Sequence, residues 1–317
     1  MLCVGVAIVS YNTRELLRAC LESLRACTLP LRVVVVDNAS RDGSPAMVRE
    51  SFPEVELIES ASNLGFAGGT NRALRALLEG AAPGDRPPAY LLMLNSDTVV
   101  QPGAIEALAA FLEAHPRVGA VGPRLLNPDG STQAAAFRFP TLAMTALDLF
   151  PPGEVLPGRL YGSWWHGRYP QERGDEPFPI DHPLGACIMT RPEVLAQVGL
   201  LDEGYFMYAE EVDWCLRVRR AGWAIWQVPQ ARVTHVGGAS TSQVRARMLV
   251  ALYASRLRFF RLHYGEAAAR RHARLITAGA LRWTLLAWRD YARGRIGREE
   301  LRARLWAYGA ILQNARC

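Results

Sequence analysis

The chain has 317 residues, half of them apolar and 21% charged, which excludes a disordered chain and suits one large core or a core with an extension. Its net charge of +6 hides an asymmetry: residues 1–242 hold 20 arginines against 26 acids, residues 243–317 hold 16 against 4, and there is no lysine. An acidic body with a basic tail points to an anionic partner for the tail, either a membrane or a nucleic acid.

Residues 4–9 read as a first strand, since Met1–Val9 has neither a basic leader nor a cleavage site. A helical pattern follows through Leu16, Leu17, Cys20, Leu21 and Leu24, with Asn12 as its predicted cap and Glu15 at the third helical position. Residues 32–36 and 90–94 are short apolar runs, too β-branched or aromatic for helices, and each reads as a buried strand that delivers an acid at its end, Asp37 and Asp97. Further strands are predicted at 55–58 and 118–121, and helices at 70–79 and 103–114. Strands alternating with helices predict an α/β fold with a mostly parallel sheet covered on both faces. In such sheets ligands bind at the carboxyl ends of the strands, where Asp37 and Asp97 would sit.

Asn127-Pro128-Asp129-Gly130 is a turn signal and predicts a hairpin entering a different region. Residues 134–182 lack periodicity and are rich in Pro, Gly, Trp and Arg, the pattern of a long functional loop. Its Trp164 and Trp165 are candidates for stacking on a sugar. Periodic structure returns with Ala186–Thr190, a helix from Pro192, and a second helix from about Glu210 to Arg220 with Gly222 at its C-cap. A strand at 224–228 leads to Arg232–His235, and long helices fill the remainder. Over 266–293, Arg271, Arg282 and Arg289 share one helical face, while Ile276, Ala280, Trp283 and Ala287 lie nearly opposite. That is the pattern of an interfacial helix on an anionic membrane, or of a helix packed on its own protein or on a second copy in a homodimer. No uncharged stretch reaches the length of a membrane span. The six cysteines show no C-x-x-C pair and read as reduced thiols.

Four blocks in the first hundred residues, Val9–Asn12, Val36–Ser44, Asn63–Asn71 and Leu94–Thr98, are followed by Gly185-Ala186, Val198–Glu203, Tyr205–Arg217 and His235–Gly238. Taken in order over roughly residues 3 to 263, they resemble the cytoplasmic, nonprocessive family 2 glycosyltransferases with the GT-A fold, especially the rhamnosyltransferase-like members that build bacterial surface polysaccharides. The resemblance implies a Rossmann-like GT-A domain over 1–242, with its nucleotide-binding half at about 1–125 and its acceptor half at about 126–242. Residues 243–317 would form a basic helical extension.

The implied function is an inverting, metal-dependent transfer of a sugar, rhamnose among the candidates. The donor would be a dTDP- or UDP-sugar and the acceptor a saccharide or lipid-linked saccharide, in a cytoplasmic protein that is peripheral at the inner face of the plasma membrane. By this resemblance Asp37 accepts the N3–H of uracil or thymine, and Ser10, Asn12, Asn63, Gly65, Asn71 and Ser96 line the nucleotide site. Asn95-Ser96-Asp97 stands where the family has a D-x-D-type motif, with Asn for the first acid. Asp97 is then the carboxylate on Mg²⁺ or Mn²⁺, and His235 completes the metal site. Glu211 is the implied base, in a family that usually has Glu-Asp where this chain has Glu210-Glu211. Glu210 and Asp213 favour the helix dipole or bind the acceptor. Gly185, Ala186, Trp164 and Trp165 are placed with the sugars. Absence of a Q-x-x-R-W sequence disfavours a processive synthase. A catalytically inactive nucleotide-sugar-binding scaffold is the other class, and no nucleic-acid-binding module accompanies the charge.

Overall fold

In the computed structural model, residues 2–79, 87–151, 163–237 and 245–316 are described, and Gly238 of the last block lies outside them. Two compact units are present: Met1–Phe139 with Arg168–Phe206 and Glu210–Ser240, and Pro140–Gly167 with Met207–Ala209 and Thr241–Cys317. The division is not a single cut at 242, because residues 140–167 belong with the helical tail.

The first unit is built on a ten-stranded sheet and a separate two-stranded one. Its strands are β1 (Val4–Ser10), β2 (Leu31–Asp37), β3 (Glu56–Glu59), β4 (Tyr90–Asn95), β5 (Thr98–Val100), β6 (Val118–Leu126), β7 (Thr132–Gln133), β8 (Ala136–Phe137), β9 (Phe178–Pro179), β10 (His182–Pro183), β11 (Cys187–Thr190) and β12 (Ala224–His235). The main path runs β3-β2-β1-β4-β11-β6-β12-β5, with β8 and β10 paired apart. Strands β3, β2, β1 and β4 are parallel, β11 runs against both β4 and β6, and β12 is parallel to β6. Val34, Val35 and Val36 are fully buried, as a strand covered on both faces requires. Register levels the strand ends: Asp37 pairs with Ser10, and Asn95 pairs with Val9. The two acid-bearing ends therefore emerge at one level, on either side of β1.

Helices α1 (Arg14–Leu24), α2 (Ser44–Ser51), α3 (Gly65–Glu79) and α4 (Ala104–Ala114) cover this sheet, followed by α6 (Pro192–Val198) and α7 (Glu210–Arg220). Asn12 does not cap α1. The N-cap position is Thr13, with no side-chain cap bond. Asn12 is left-handed (φ 52°), and its amide oxygen accepts from Arg41 N–H at 2.7 Å. Helix α3 begins five residues earlier than its periodicity predicts, starting at a left-handed Gly65 and running on through Gly68 and Gly69. A Cβ on Gly69 would stand 2.8 Å from Val9, so glycine lets α3 lie against β1. The turn at Asn127–Gly130 joins β6 to β7 as expected, with Leu125 opposite Gln133.

The second unit packs α5 (Leu142–Leu149), α8 (Arg245–Ala292, broken at Gly265) and α9 (Arg298–Asn314) around Leu149, Tyr253, Leu257, Ile276, Ala280 and Ile311. Helix α5 lies inside the stretch read as loop, where eight mostly apolar residues show no periodicity, and Thr141 caps it by accepting from Met144 N–H. Of the readings left open for residues 266–293, packing on the protein itself is the one this apolar face follows. Ile276, Ala280 and Ala287 are buried, and Trp283 packs on Tyr253 and Tyr308. No helix among the described residues is long and apolar enough to cross a membrane. The five described cysteines are free thiols, and Cys317 lies outside the described residues.

Candidate active site

At the ends of β1 and β2, polar side chains face inward. Asp37 is buried; one carboxylate oxygen accepts from Ser40 N–H at 2.9 Å, and the other, Oδ1, has no partner. An unpaired buried carboxylate oxygen costs free energy unless a donor meets it. Asn12 N–H donates to Ser40 Oγ at 2.9 Å, stitching the two strand ends into one wall. Ser10, Thr13 and Ser96 form a chain of hydroxyls, each step 3.0 Å, from the end of β1 to the turn carrying Asp97. Thr13 is a link that the sequence reading missed, having no motif around it.

Asn63 Oδ1 accepts from Gly65 N–H at 2.9 Å and turns the chain into α3. Gly65 is left-handed (φ 75°), and its carbonyl accepts from the buried Asn38 amide at 2.9 Å. Asn71 does a different job from the expected one. Its side-chain amide donates to Leu201 O at 2.8 Å and to Glu203 at 2.9 Å, and its oxygen accepts from Leu201 N–H at 3.0 Å. These bonds tie it to the segment that leads to α7.

The pairing of β5 with β12 sets His235 opposite Thr98, and so beside Asp97. His235 Nε2 lies 3.4 Å from Asp97 Oδ1, and Val236 N–H donates to Asp97 O at 3.0 Å. On the far side of the ring, His235 Nδ1 is 2.7 Å from Gln133 Oε1. The Gln133 amide nitrogen is fixed in turn by Asn127 Oδ1 at 3.0 Å and His235 O at 3.3 Å. Since Gln133 presents an oxygen, Nδ1 carries the hydrogen, and in the neutral ring the Nε2 lone pair faces the Asp97 carboxylate. Two electron-pair donors at this distance need a proton or a cation between them. Among the described residues no group of three or more His, Cys, Asp or Glu side chains forms a cation cage. One carboxylate and one imidazole fit a divalent ion that takes its other oxygens from a diphosphate and water. Asn95 Oδ1, two residues before Asp97, is a further buried oxygen without a partner. Gln133 and Asn127 were not singled out from the sequence; the hairpin signal placed them, but only the pairing of β6 with β12 shows what they hold.

Glu210 and Glu211 open α7, after two consecutive left-handed residues, Tyr208 (φ 69°) and Ala209 (φ 66°). Burial raises the Glu211 carboxyl above the ordinary glutamate range, and the backbone amides of Glu211, Val212 and Gly185 offset part of that rise. Burial raises Glu210 much further, helped by the neighbouring Glu211 charge, and its Oε2 has no partner. A Cβ on Gly185 would stand 3.3 Å from Glu211 Cγ, so glycine there leaves room for the acid. Ala186 O accepts from Asn95 N–H at 2.9 Å, which ties this end of the site to the Asp97 turn. Asp213 is buried and paired with Arg217 at 2.9 Å, and Arg217 also donates to the carbonyls of Val198 and Leu200. The structure thus gives Asp213 a structural partner. Trp164 and Trp165 lie in the second unit, in a short 3₁₀ turn, and Trp165 is 70% exposed.

Comparison with known proteins bears on this geometry. The sequence profile of Glycosyl transferase family 2 matches residues 5–199. The N-acetylglucosaminyl-diphospho-decaprenol L-rhamnosyltransferase of Mycobacterium tuberculosis is 34% identical over 287 residues, 88% of each chain. The low-salt glycan biosynthesis hexosyltransferase of Haloferax volcanii is 26% identical over 73% of this chain and 66% of its own. Among solved structures, a mannosyltransferase from Pyrobaculum calidifontis, in complex with GDP-Man and Mn²⁺, superposes with a TM-score of 0.52 at 19% identity. The match covers 99% of this chain and 86% of that one, and it marks the shared fold as GT-A.

Proposed function

The chain belongs to glycosyl transferase family 2 and is a glycosyltransferase of rhamnosyltransferase-like type, and on that premise we propose that it transfers rhamnose with inversion from a dTDP- or UDP-linked donor to a saccharide carried on a lipid. Sugar transfer in polysaccharide synthesis is the broader activity that its relatives support. The observation that carries the finer reading is the placing of Glu211, a carboxyl with a raised pKa, next to the strand end that supports Asp97 and His235.

In this reading Asp37 accepts from the pyrimidine ring through Oδ1, and the Ser10–Thr13–Ser96 hydroxyls hold the wall beside it. Asp97 and His235 would hold a Mg²⁺ or Mn²⁺, which when bound neutralises charge on the departing diphosphate. Glu211 takes the proton from the acceptor hydroxyl as that oxygen attacks the anomeric carbon. The bond from carbon to diphosphate oxygen breaks, and the nucleoside diphosphate leaves with the electron pair. Glu210, whose carboxyl burial pushes up, can hydrogen-bond the acceptor. A lipid-linked acceptor calls for a cytoplasmic protein that is peripheral at the inner face of the plasma membrane.

The test is transfer from dTDP- and UDP-rhamnose to a short lipid-linked acceptor, with the anomeric configuration of the product read by NMR. Inversion that is lost in Glu211→Gln supports the mechanism. Retained configuration, or full turnover by Glu211→Gln, overturns it.

A further inference from the structure

Ten of the thirteen large apolar side chains that stand exposed among the described residues belong to the second unit. Three of them, Leu281, Leu285 and Trp288, follow one another at i, i+4 and i+7 on the second arm of α8 and are 52%, 72% and 51% exposed. This spacing puts them on one helix face. The same face carries the exposed Arg274 and Arg270, about two and three turns before Leu281, and Arg289 borders it at the other end. It is a different face from that of Ile276, Ala280 and Ala287, which is buried in the unit's core. From Arg274 to Trp288 the stripe is about 21 Å long at 1.5 Å per residue.

We propose that this face of α8 docks on the surface of an anionic lipid bilayer, with Leu281, Leu285 and Trp288 entering the headgroup boundary and Arg270, Arg274 and Arg289 meeting lipid phosphates. Charge decides the occupant. Residues 243–317 hold 16 arginines and four acids. Three of those acids are already paired within the unit: Glu266 with Arg261, Asp290 with Arg289, and Glu300 with Arg304. A second copy would set arginine against arginine. A nucleic acid would meet the arginines but leave the leucines exposed to water. An anionic bilayer takes both kinds of side chain, because its phosphates lie above an apolar layer. The proposal deepens the peripheral location given above by naming the surface, but rests on the second unit alone.

The experiment is co-sedimentation of the intact protein with vesicles of phosphatidylcholine, with and without 30% phosphatidylglycerol, at low and high salt. Binding is expected to the anionic vesicles only and to weaken as salt rises. Each arginine near such a surface contributes about fivefold in affinity, so Arg270→Gln with Arg274→Gln should weaken binding on the order of twentyfold. Leu285→Glu should abolish it, and its side chain is exposed enough for the fold to survive, as an unchanged melting temperature would show. Binding of UDP and dTDP is measured on the same samples. Vesicle binding lost with nucleotide binding kept is the expected signature of Leu285→Glu. If the intact protein ignores anionic vesicles, or Leu285→Glu binds them as well as before, the proposal is overturned. A dimer in solution that Leu285→Glu dissociates would overturn it too, assigning the face to a second copy. Absent nucleotide binding alongside intact vesicle binding would count against the glycosyltransfer reading and leave the docking face standing.

Discussion

Replacing Gln133 by Leu tests whether the Asp97–His235 pair is poised for a cation. The change keeps side-chain volume and removes three hydrogen bonds: to His235 Nδ1 at 2.7 Å, Asn127 Oδ1 at 3.0 Å and His235 O at 3.3 Å. At about 1 kcal/mol each, and with His235 buried, a stability loss of about 2–3 kcal/mol is expected. The more telling effect is on the imidazole. Without the Gln133 oxygen nothing holds the hydrogen on Nδ1, and the ring can turn or change tautomer. Partners of this kind are worth 10–100-fold in metal affinity. Calorimetric titration of Mn²⁺ into the protein with dTDP should show that loss in Gln133→Leu. Gln133→Glu, which keeps an acceptor oxygen for Nδ1, should recover most of the affinity. Nitrogen NMR of histidine-labelled protein without metal should find His235 protonated at Nδ1 in the wild type and mixed in Gln133→Leu. Unchanged Mn²⁺ affinity in Gln133→Leu, with affinity lost in Asp97→Ala, would refute the positioning argument. Unchanged affinity in both would place the metal elsewhere.

Glu211→Gln should lower turnover by about 10²–10⁴-fold with nucleotide affinity nearly intact, because a base acts in the transition state. In the wild type kcat/KM should rise with pH through the raised Glu211 pKa. Glu210→Gln copies the protonated form that burial favours, so this limb should stay where it is; a shift to lower pH would show that Glu210 is charged. The same burial has a stability consequence. A carboxyl with a raised folded pKa contributes stability that is full below the unfolded pKa and lost as pH rises through the folded one, so Glu210→Gln should raise the melting temperature at pH 8 more than at pH 4. A thermal-shift panel should show stabilisation by UDP and dTDP of about 2.7 kcal/mol at a hundredfold excess over Kd. GDP should give much less, and Asp37→Asn should erase the preference; equal stabilisation by GDP would remove the base-reading role of Asp37.

What was legible in the sequence was whatever short-range chemistry dictates. The valine run before Asp37 could only be a buried strand, and Asn127-Pro128-Asp129-Gly130 could only turn. The start of α3 was hidden because three glycines weaken the helical signal, and what two of them make room for, Val9 against Gly69 and Phe206 against Gly65, are tertiary contacts. Asn71 looked like a ligand because it closes a glycine-rich block, whereas its partners Leu201 and Glu203 are 130 residues away. Likewise the α8 stripe at Ile276 and Ala280 is apolar for its own core, and a helix with two apolar faces does not tell from periodicity which one is covered.

The segment between Leu201 and Phe206 leads into the Glu210–Glu211 helix, and α3 grips it at both ends. Asn71 holds Leu201, and Phe66 N–H donates to Phe206 O at 3.0 Å. Gly65 controls the second grip. A Cβ there would fall 2.3 Å from Phe206 O and 2.9 Å from Phe206 Cδ2, so Gly65→Ala must displace Phe206 as well as hold a left-handed alanine. The conformational part costs about 1–2 kcal/mol by itself. Gly43→Ala isolates that part, because Gly43 has a similar φ of +83° while its nearest neighbour is Arg14 Cδ at 3.9 Å. Gly65→Ala should therefore lose clearly more stability than Gly43→Ala in urea unfolding. It should also lower kcat, because the displaced strap leads into the helix of Glu211, the proposed base, while Gly43→Ala leaves kcat unchanged. Equal effects of the two substitutions on both quantities would mean that Phe206 gives way freely, and that the nucleotide helix does not set the position of Glu211.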